Sequence, residues 1–487
     1  SETSTDDNSP AHQPPDVPGV ALAAAQTVAS AEIPFVLSLL LEPLKHARDR
    51  RRSAREFVST HIEESTDTDG TLHGSLMNDI AQWMAPIVRM SVWSAAFQQD
   101  WCGSRSGRRW RSFLDRTALM LTPDGFLTTQ RTKESDLPAN NDDVSVMNTA
   151  VAVCGKSESS PTVRQVRDLS DGRKISKVLR KAVSTKQRKD KTPKKKSKAL
   201  SCQSDWASAA ILRNTRNIDA DALSLTWDSS QVRLGLSVCG TSLISGDWAC
   251  DVRVNGQLLQ PNTFSCSCWY DDNEAAFAEL EAKNDDGLIM VRHVLLSLDQ
   301  HYAVVTDTVT APSADDVVEF ESHLPLAASI VMEKNSITRD VFLHGDYVST
   351  RAVPLWVPDD RIQQTDGNCD QDDRRLTLSD KGTGGTCTAL LLDWHPERRT
   401  SEPDWARLTV TEDRRVVTRH EAAGFRLRIS DLQLMLYRNL RGGQVFRAVL
   451  GHHTRNETVY GKISSTGDVE PIVMVEAGGQ SEGQDPN

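Results

Sequence analysis

The 487-residue chain lacks an uninterrupted apolar run of the ~18 to 20 residues that a membrane span needs. The longest candidate, Ile33 to Leu44, is broken by Pro34, Ser38, Glu42 and Pro43, so the expected partners include no membrane. Aromatic residues are scarce at 6%, and the five tyrosines, Tyr270, Tyr302, Tyr347, Tyr437 and Tyr460, all lie in the second half. Any chemistry needing a phenolic acid is therefore denied to the first half. There is no Gly-rich phosphate loop, no G-x-S-x-G and no H-E-x-x-H, which removes support for nucleotide-dependent, serine-hydrolase and zinc-protease readings. Excess positive charge is also missing. With 56 basic and 67 acidic residues the net charge is -11, which argues against a whole-surface or specific nucleic-acid binder.

The nine cysteines are an odd number spread thinly, the pattern of reduced thiols, and Cys266-Ser-Cys268 has no second Cys or His pair at zinc-finger spacing. Ser1 to Val17 is acidic and proline-rich, with no basic segment leading an apolar core. Both features favour a cytoplasmic location, or a secreted or periplasmic one if an upstream signal was removed.

Five segments follow from composition and periodicity. Residues 1–20 read as a disordered tail. Over 21–130 apolar residues recur at helical steps, as in Leu76, Ile80, Trp83, Ile87 and Met90 and again in Trp110, Phe113, Leu114, Thr117 and Leu121. Thr122-Pro123-Asp124-Gly125 ends the second of these helices. Residues 131–200 lose periodicity and read as a disordered linker. Its part from Lys181 to Lys198 carries nine Lys or Arg against Asp190 alone, and as a solvated basic tether it would give weak, salt-sensitive polyanion contact. Over 201–477 the period becomes two: Leu223 to Trp227, Val232 to Val238, Val252 to Val254, Arg407 to Val410, Phe425 to Ile429 and Thr458 to Tyr460 alternate as strands with one wet face. Turns at Asn255-Gly256, Asp286-Gly287, His344-Gly-Asp346 and Gly384-Gly385 separate them. Residues 478–487 are a polar tail. The expected fold class is α+β and multidomain, a short helical domain followed by a large antiparallel β-sandwich.

Three groups of residues carry a family resemblance. They are Ser204-Asp-Trp-Ala-Ser-Ala-Ala-Ile-Leu-Arg213; Leu243-Ile-Ser-Gly-Asp-Trp248 leading to Val252-Arg-Val-Asn-Gly256; and Val291-Arg-His-Val-Leu-Leu296 with Tyr302-Ala-Val-Val-Thr-Asp307. In that order they resemble the C-terminal sandwich of heparinase II/III-like proteins. Gly424-Phe-Arg-Leu-Arg-Ile429, Tyr437-Arg-Asn439 and Val449-Leu-Gly451 extend the likeness toward a bacterial, planctomycete-type subgroup. The resemblance implies an α/α toroid before the sandwich and β-elimination on uronic-acid polysaccharides, with an Asn or Arg neutraliser, a His and a Tyr as acid and base. The partner it implies is an acidic polysaccharide.

The chain departs from that pattern. The family's His-Asn motif is replaced by Asp247-Trp-Ala-Cys-Asp-Val-Arg-Val254, and the helical segment has His46, His61 and His73 but no tyrosine. A closed ring of ten or more helices needs on the order of 170 residues, and 21–130 holds about six helices, so the toroid is truncated. Two functions stay open: a lyase, and a non-catalytic glycan-binding or scaffold protein that kept the sandwich. Trp269, Arg292, His293 and Tyr302 are the candidate substrate contacts. No cofactor is expected. Asp307 and His323 could supply two ligands of the structural zinc seen in some family members, against a plainer reading as a strand-end carboxylate and a sheet-bound histidine. Trp248, Trp356, Trp394 and Trp405 read as core before sugar platforms.

Overall fold

A computed structural model of the chain describes residues 19–124, 142–154, 160–170, 200–217, 219–227, 231–372 and 374–477. The basic block 181–198, the tail 478–487 and all but the end of the tail 1–20 lie outside the described residues. The chain divides into two compact units, Ser1–Arg116 and Thr117–Asn487.

In the first unit, Val20–Leu40 is one continuous helical rod of 21 residues with mean hydropathy 1.6. From the sequence, Pro34 is expected to break this run. Here the π-helical turn Val28–Glu32 sits directly before Ile33–Leu40 and takes up the missing proline N–H, so the rod continues through it. By length and composition this one helix among the described residues could cross a membrane, which corrects the expectation that no segment approaches a span. Ala23, Ala31, Phe35 and Leu39 face the unit's interior, while Leu22, Ile33, Leu37 and Leu40 are exposed.

The helix Ala47–Ser65 and the helix Ile80–Phe97 close the unit's core. The Asp79 carboxylate caps the second by accepting from Gln82 N at 3.0 Å, and Gln98 in the left-handed region ends it. The predicted stripe Trp83, Ile87 and Met90 is buried on it, and Leu76 is buried in the preceding 3-10 turn. Trp83 meets Phe113 edge-on at 5.1 Å and Trp110 at 6.1 Å. Gly70, with φ +90°, lies against the backbone of the helix Ser104–Thr117, where a Cβ would fall 2.3 Å from Phe113 N. Only glycine fits there.

In the second unit two helices, Asp142–Val153 and Pro161–Ser170, stand inside the stretch expected to be a disordered linker. Val144, Met147, Ala150 and Val151 are buried at helical spacing, a stripe too short among polar neighbours to register as periodic. The rest is antiparallel sheet. The largest sheet has nine strands and carries Thr241–Val254 and Val317–Pro325; an eight-stranded sheet carries Ala275–Lys283, Ile289–Ser297, Tyr302–Thr310 and Gly385–Asp393; a five-stranded sheet carries Ala422–Ile429, Leu432–Asn439 and Thr458–Ile463. A four-stranded sheet is the fourth among the described residues. Asn255-Gly256, both at positive φ, makes the expected tight hairpin.

The eight-stranded sheet is a central layer. Trp248 and Ser322 of the nine-stranded sheet meet Arg292 and Asp307 on one of its faces, and Tyr460 and Arg438 of the five-stranded sheet meet His293 and Glu279 on the other. Ile289–Ser297 and Tyr302–Thr310 are consequently buried along nearly their whole lengths, and Gly385–Asp393 throughout. The expectation of one wet face holds for Val252–Val254 and Phe425–Ile429 and fails for Leu223–Trp227, Val232–Val238 and Thr458–Tyr460, which are buried throughout because both faces are covered.

Candidate functional site

Because successive strand residues face opposite ways, Arg292 and His293 head two separate networks on the two faces of the central sheet. Arg292 pairs with Asp307, its cross-strand neighbour, through Nε at 3.1 Å, and also donates to the Trp248 carbonyl. Its guanidinium lies 4.4 Å from the Trp248 ring centroid. Burial pushes the Asp307 carboxyl up, opposed by Arg292 and by hydrogen bonds from Ser322 and Trp248.

On the other face, register sets Glu279, His293 and Thr306 in a row across three strands. His293 Nε2 lies 2.8 Å from Glu279, its Nδ1 lies 3.2 Å from Tyr460 Oη, and Thr306 Oγ1 lies 3.1 Å from the same hydroxyl. Arg438 adds Glu279 at 3.2 Å and Glu457 at 2.9 Å. Burial by itself would raise Glu279, yet hydrogen bonds from His293 and Ser267 and the Arg438 charge bring it to about 2. Burial holds His293 down.

An arginine, a histidine and a tyrosine thus converge here, but in the wrong place for a polymer. Arg292, His293, Tyr302 and Asp307 are each 1% exposed. The expectation that Arg292, His293 and Tyr302 touch substrate is therefore corrected: Arg292 and His293 join layers, and Tyr302 is core. Asp307 and His323 do not converge either. Ser322 carries the side chain that meets Asp307, so its neighbour His323 projects from the other face, against Thr377 at 3.2 Å. Among the described residues no three His, Cys, Asp or Glu side chains are grouped to hold a metal ion. Trp269 is half-buried on Ser265–Asp271, paired with Ala278, while Trp248, Trp356, Trp394 and Trp405 are core.

A titratable cluster that reaches solvent lies at the end of the central sheet. Asp221 precedes the strand Ala222–Thr226; His301, at φ 56°, turns the chain between Ile289–Ser297 and Tyr302–Thr310; Trp394 and His395 follow Gly385–Asp393. The three loops meet because the strands they join end together. Asp221 is 1% exposed, and its two oxygens face His301 Nδ1 at 2.6 Å and Trp394 Nε1 at 3.1 Å. Held this way, His301 donates through Nδ1 and leaves Nε2 as the proton-accepting nitrogen of its neutral form, with 39% of the side chain exposed.

His395 lies beside it, ring centroids 5.8 Å apart, and accepts from Glu397 N through Nδ1 at 3.3 Å, which puts its own proton on Nε2. The hydrogen bond to Asp221 raises His301 above the usual histidine range, whereas burial and the nearby Arg398 lower His395. Arg398 is itself tied to Asp393 at 2.7 Å. Two histidines side by side, one oriented to take a proton and one to give a hydrogen bond, can serve acid–base chemistry. Sequence reading missed them because Asp221, His301 and His395 are far apart in the chain and no local motif joins them.

No family model and no curated protein matches the sequence. Solved structures do. The heparan sulfate lyase HepC from Pedobacter heparinus superposes with a TM-score of 0.56 at 12% identity, over 86% of this chain and 68% of that one. A heparinase III structure gives 0.56 at 11% identity, over 88% of this chain and 68% of that one. A further heparinase III gives 0.56 at 10%, over 86% and 68%. The chain has the heparinase II/III-like fold of these structures, with a short helical region followed by stacked antiparallel sheets, the fold class expected from the sequence.

Proposed function

We propose that this chain acts on uronic-acid-containing glycans by β-elimination. The observation that carries the reading is the Asp221–His301 pair, a buried carboxylate orienting a half-exposed histidine at the open end of the central sheet. In β-elimination the hydrogen on the carbon beside the uronate carboxyl leaves as a proton, the new double bond forms, and the glycosidic C–O bond breaks with its electrons going to the leaving oxygen. His301 Nε2 accepts that proton. The His395 Nε2–H hydrogen-bonds the carboxylate or the departing oxygen, and the imidazolium formed at His301 returns the proton to the leaving group. Buried Asp221 stabilises that imidazolium.

A second reading, a glycan-binding protein without turnover, draws support from the tyrosines. Tyr302, Tyr437 and Tyr460 are 4% exposed or less and Tyr270 Oη is engaged with Asp272 at 2.9 Å; Tyr347 is exposed, but no described hydrogen bond joins it to His301 or His395. Incubation with a panel of acidic polysaccharides separates the two. Elimination leaves an unsaturated uronate that absorbs in the ultraviolet, and His301→Gln should abolish its appearance. Retention of a polysaccharide with no absorbance rise on any member of the panel would establish the second reading.

A further inference from the structure

An open cleft in the second unit, about 960 Å³, has none of Asp221, His301 and His395 among its lining residues. It is walled by the connection 357–368 between Ser349–Pro354 and Asn368–Asp372, and by the strand Asp404–Arg407. A volume at the upper end of the range for small-molecule sites suits several linked sugar rings better than a single ion. Its floor is aromatic but fixed: Trp356 Nε1 donates to Ser379 O at 3.0 Å and Trp405 Nε1 to Val357 O at 2.9 Å. At Gly367 a Cβ would fall 2.7 Å from Trp356 Nε1, so the connection closes directly onto the indole.

Charge in this cleft runs against the whole molecule. Arg339, Arg361, Arg407 and Arg419 line it against Asp359 and Asp366, a local excess of two positive charges in a chain of net charge -11. Three of the four help hold the wall. Arg339 donates to Asp360 O and Gln363 O, Arg361 Nε to Asn335 O, and Arg419 pairs with Asp366 at 2.5 Å. Arg407 differs. Its guanidinium packs over the Phe425 ring at 5.4 Å, and its buried Nη1 has no hydrogen-bond acceptor among the described residues. Asp380, the carboxylate whose charge acts on it, is itself pushed toward its neutral form by burial. Gln363, Gln364, Thr365 and Asn368 add the amide and hydroxyl groups that sugar hydroxyls match.

We infer that this cleft is a second glycan site, separate from the histidine pair, which anchors an anionic oligosaccharide segment with its acidic group directed to Arg407 and Arg361. The chemical class rests on the acidic-glycan reading above; the location rests on the cleft alone. An anchor of this kind holds a chain while another part of it meets the histidines, adding avidity without a new chemical step.

The test is equilibrium binding by calorimetry on the full chain, with three probes: a galacturonate hexamer, a sulfated heparin hexamer and neutral cellohexaose. The two anionic probes are expected to bind and the neutral one not, and the stronger of the two identifies carboxylate or sulfate as the recognised group. Arg407→Gln should weaken the preferred probe about tenfold, the loss of one charge-assisted hydrogen bond. Because Arg407 also packs on Phe425, exposed Arg361→Gln serves as the second variant and should weaken the same probe by several-fold, with an unchanged circular dichroism spectrum in each. Binding of that probe unchanged in both arginine variants, or equal binding of cellohexaose, overturns the inference. Failure of elimination with binding intact overturns the catalytic reading and leaves the cleft standing.

Discussion

His61 offers a quantitative check on the helical unit. It lies on Ala47–Ser65, is 9% exposed, and its Nε2 accepts the Trp83 indole N–H at 3.0 Å. Phe57 stacks on its ring, with centroids 6.0 Å apart. Burial lowers its pKa from 6.5 to about 4, so the folded protein keeps it neutral while the unfolded chain titrates normally. The sign follows directly. Above pH 6.5 neither state carries the proton. As pH falls from there toward 4 the unfolded chain takes up a proton the fold refuses, and stability drops by roughly 3 kcal/mol. Below pH 4 both states carry it and the loss levels off. His61→Gln keeps an acceptor for the Trp83 N–H and removes the titration. Opening free energies of amides in 47–65 and 80–97, measured by hydrogen exchange on wild type and variant at several pH values between 7 and 4, isolate the term, because other titrating groups cancel in the difference. A variant-minus-wild-type difference that stays constant across that range to within about 0.5 kcal/mol would refute the burial argument.

Other outcomes follow from the same structure. If His301 is the base, elimination requires its neutral form, so the rate should rise with pH through a pKa above the ordinary histidine value, and His301→Gln should flatten this limb along with the rate. Arg292→Met leaves the Asp307 carboxylate buried without its counter-charge and should cost about 3 to 5 kcal/mol in chemical denaturation, with Asp307→Asn in the same chain recovering more than half; a single-variant loss below about 1 kcal/mol would show that the pair does not hold the layers. Gly70→Ala forces a Cβ onto the Phe113 backbone at positive φ and should destabilise the helical unit by about 2 kcal/mol or more in thermal unfolding, without altering glycan binding in the second unit.

What the sequence makes legible is local. The stripe through Trp83, Ile87 and Met90, the alternation in Val232–Val238 and the Asn255-Gly256 hairpin each follow from a few neighbouring residues, and the observed elements form there. The number of layers is another matter. Arg292, His293 and Asp307 look like site residues because they lie in the stretch that carries the family resemblance. Their partners Trp248 and Tyr460 lie 44 and 167 residues away in the chain and on different sheets, so no spacing rule connects them. Asp221 and His301 stand 80 residues apart for the same reason.

The polar interior also does something an apolar one could not. In the central sheet, a slip of one residue in Ile289–Ser297 would turn Arg292 toward Tyr460 and His293 toward Trp248, leaving Asp307 and Glu279 each buried opposite the wrong partner. Apolar neighbours such as Val294 and Leu295 would tolerate that exchange, since both faces are covered and either side chain suits either layer. The charges do not tolerate it. In a strand buried on both sides, where hydrophobicity cannot tell one face from the other, the alternation Arg292–His293 carries the register, and the residues that most resemble a catalytic set in the sequence are those that fix which layer lies on which side.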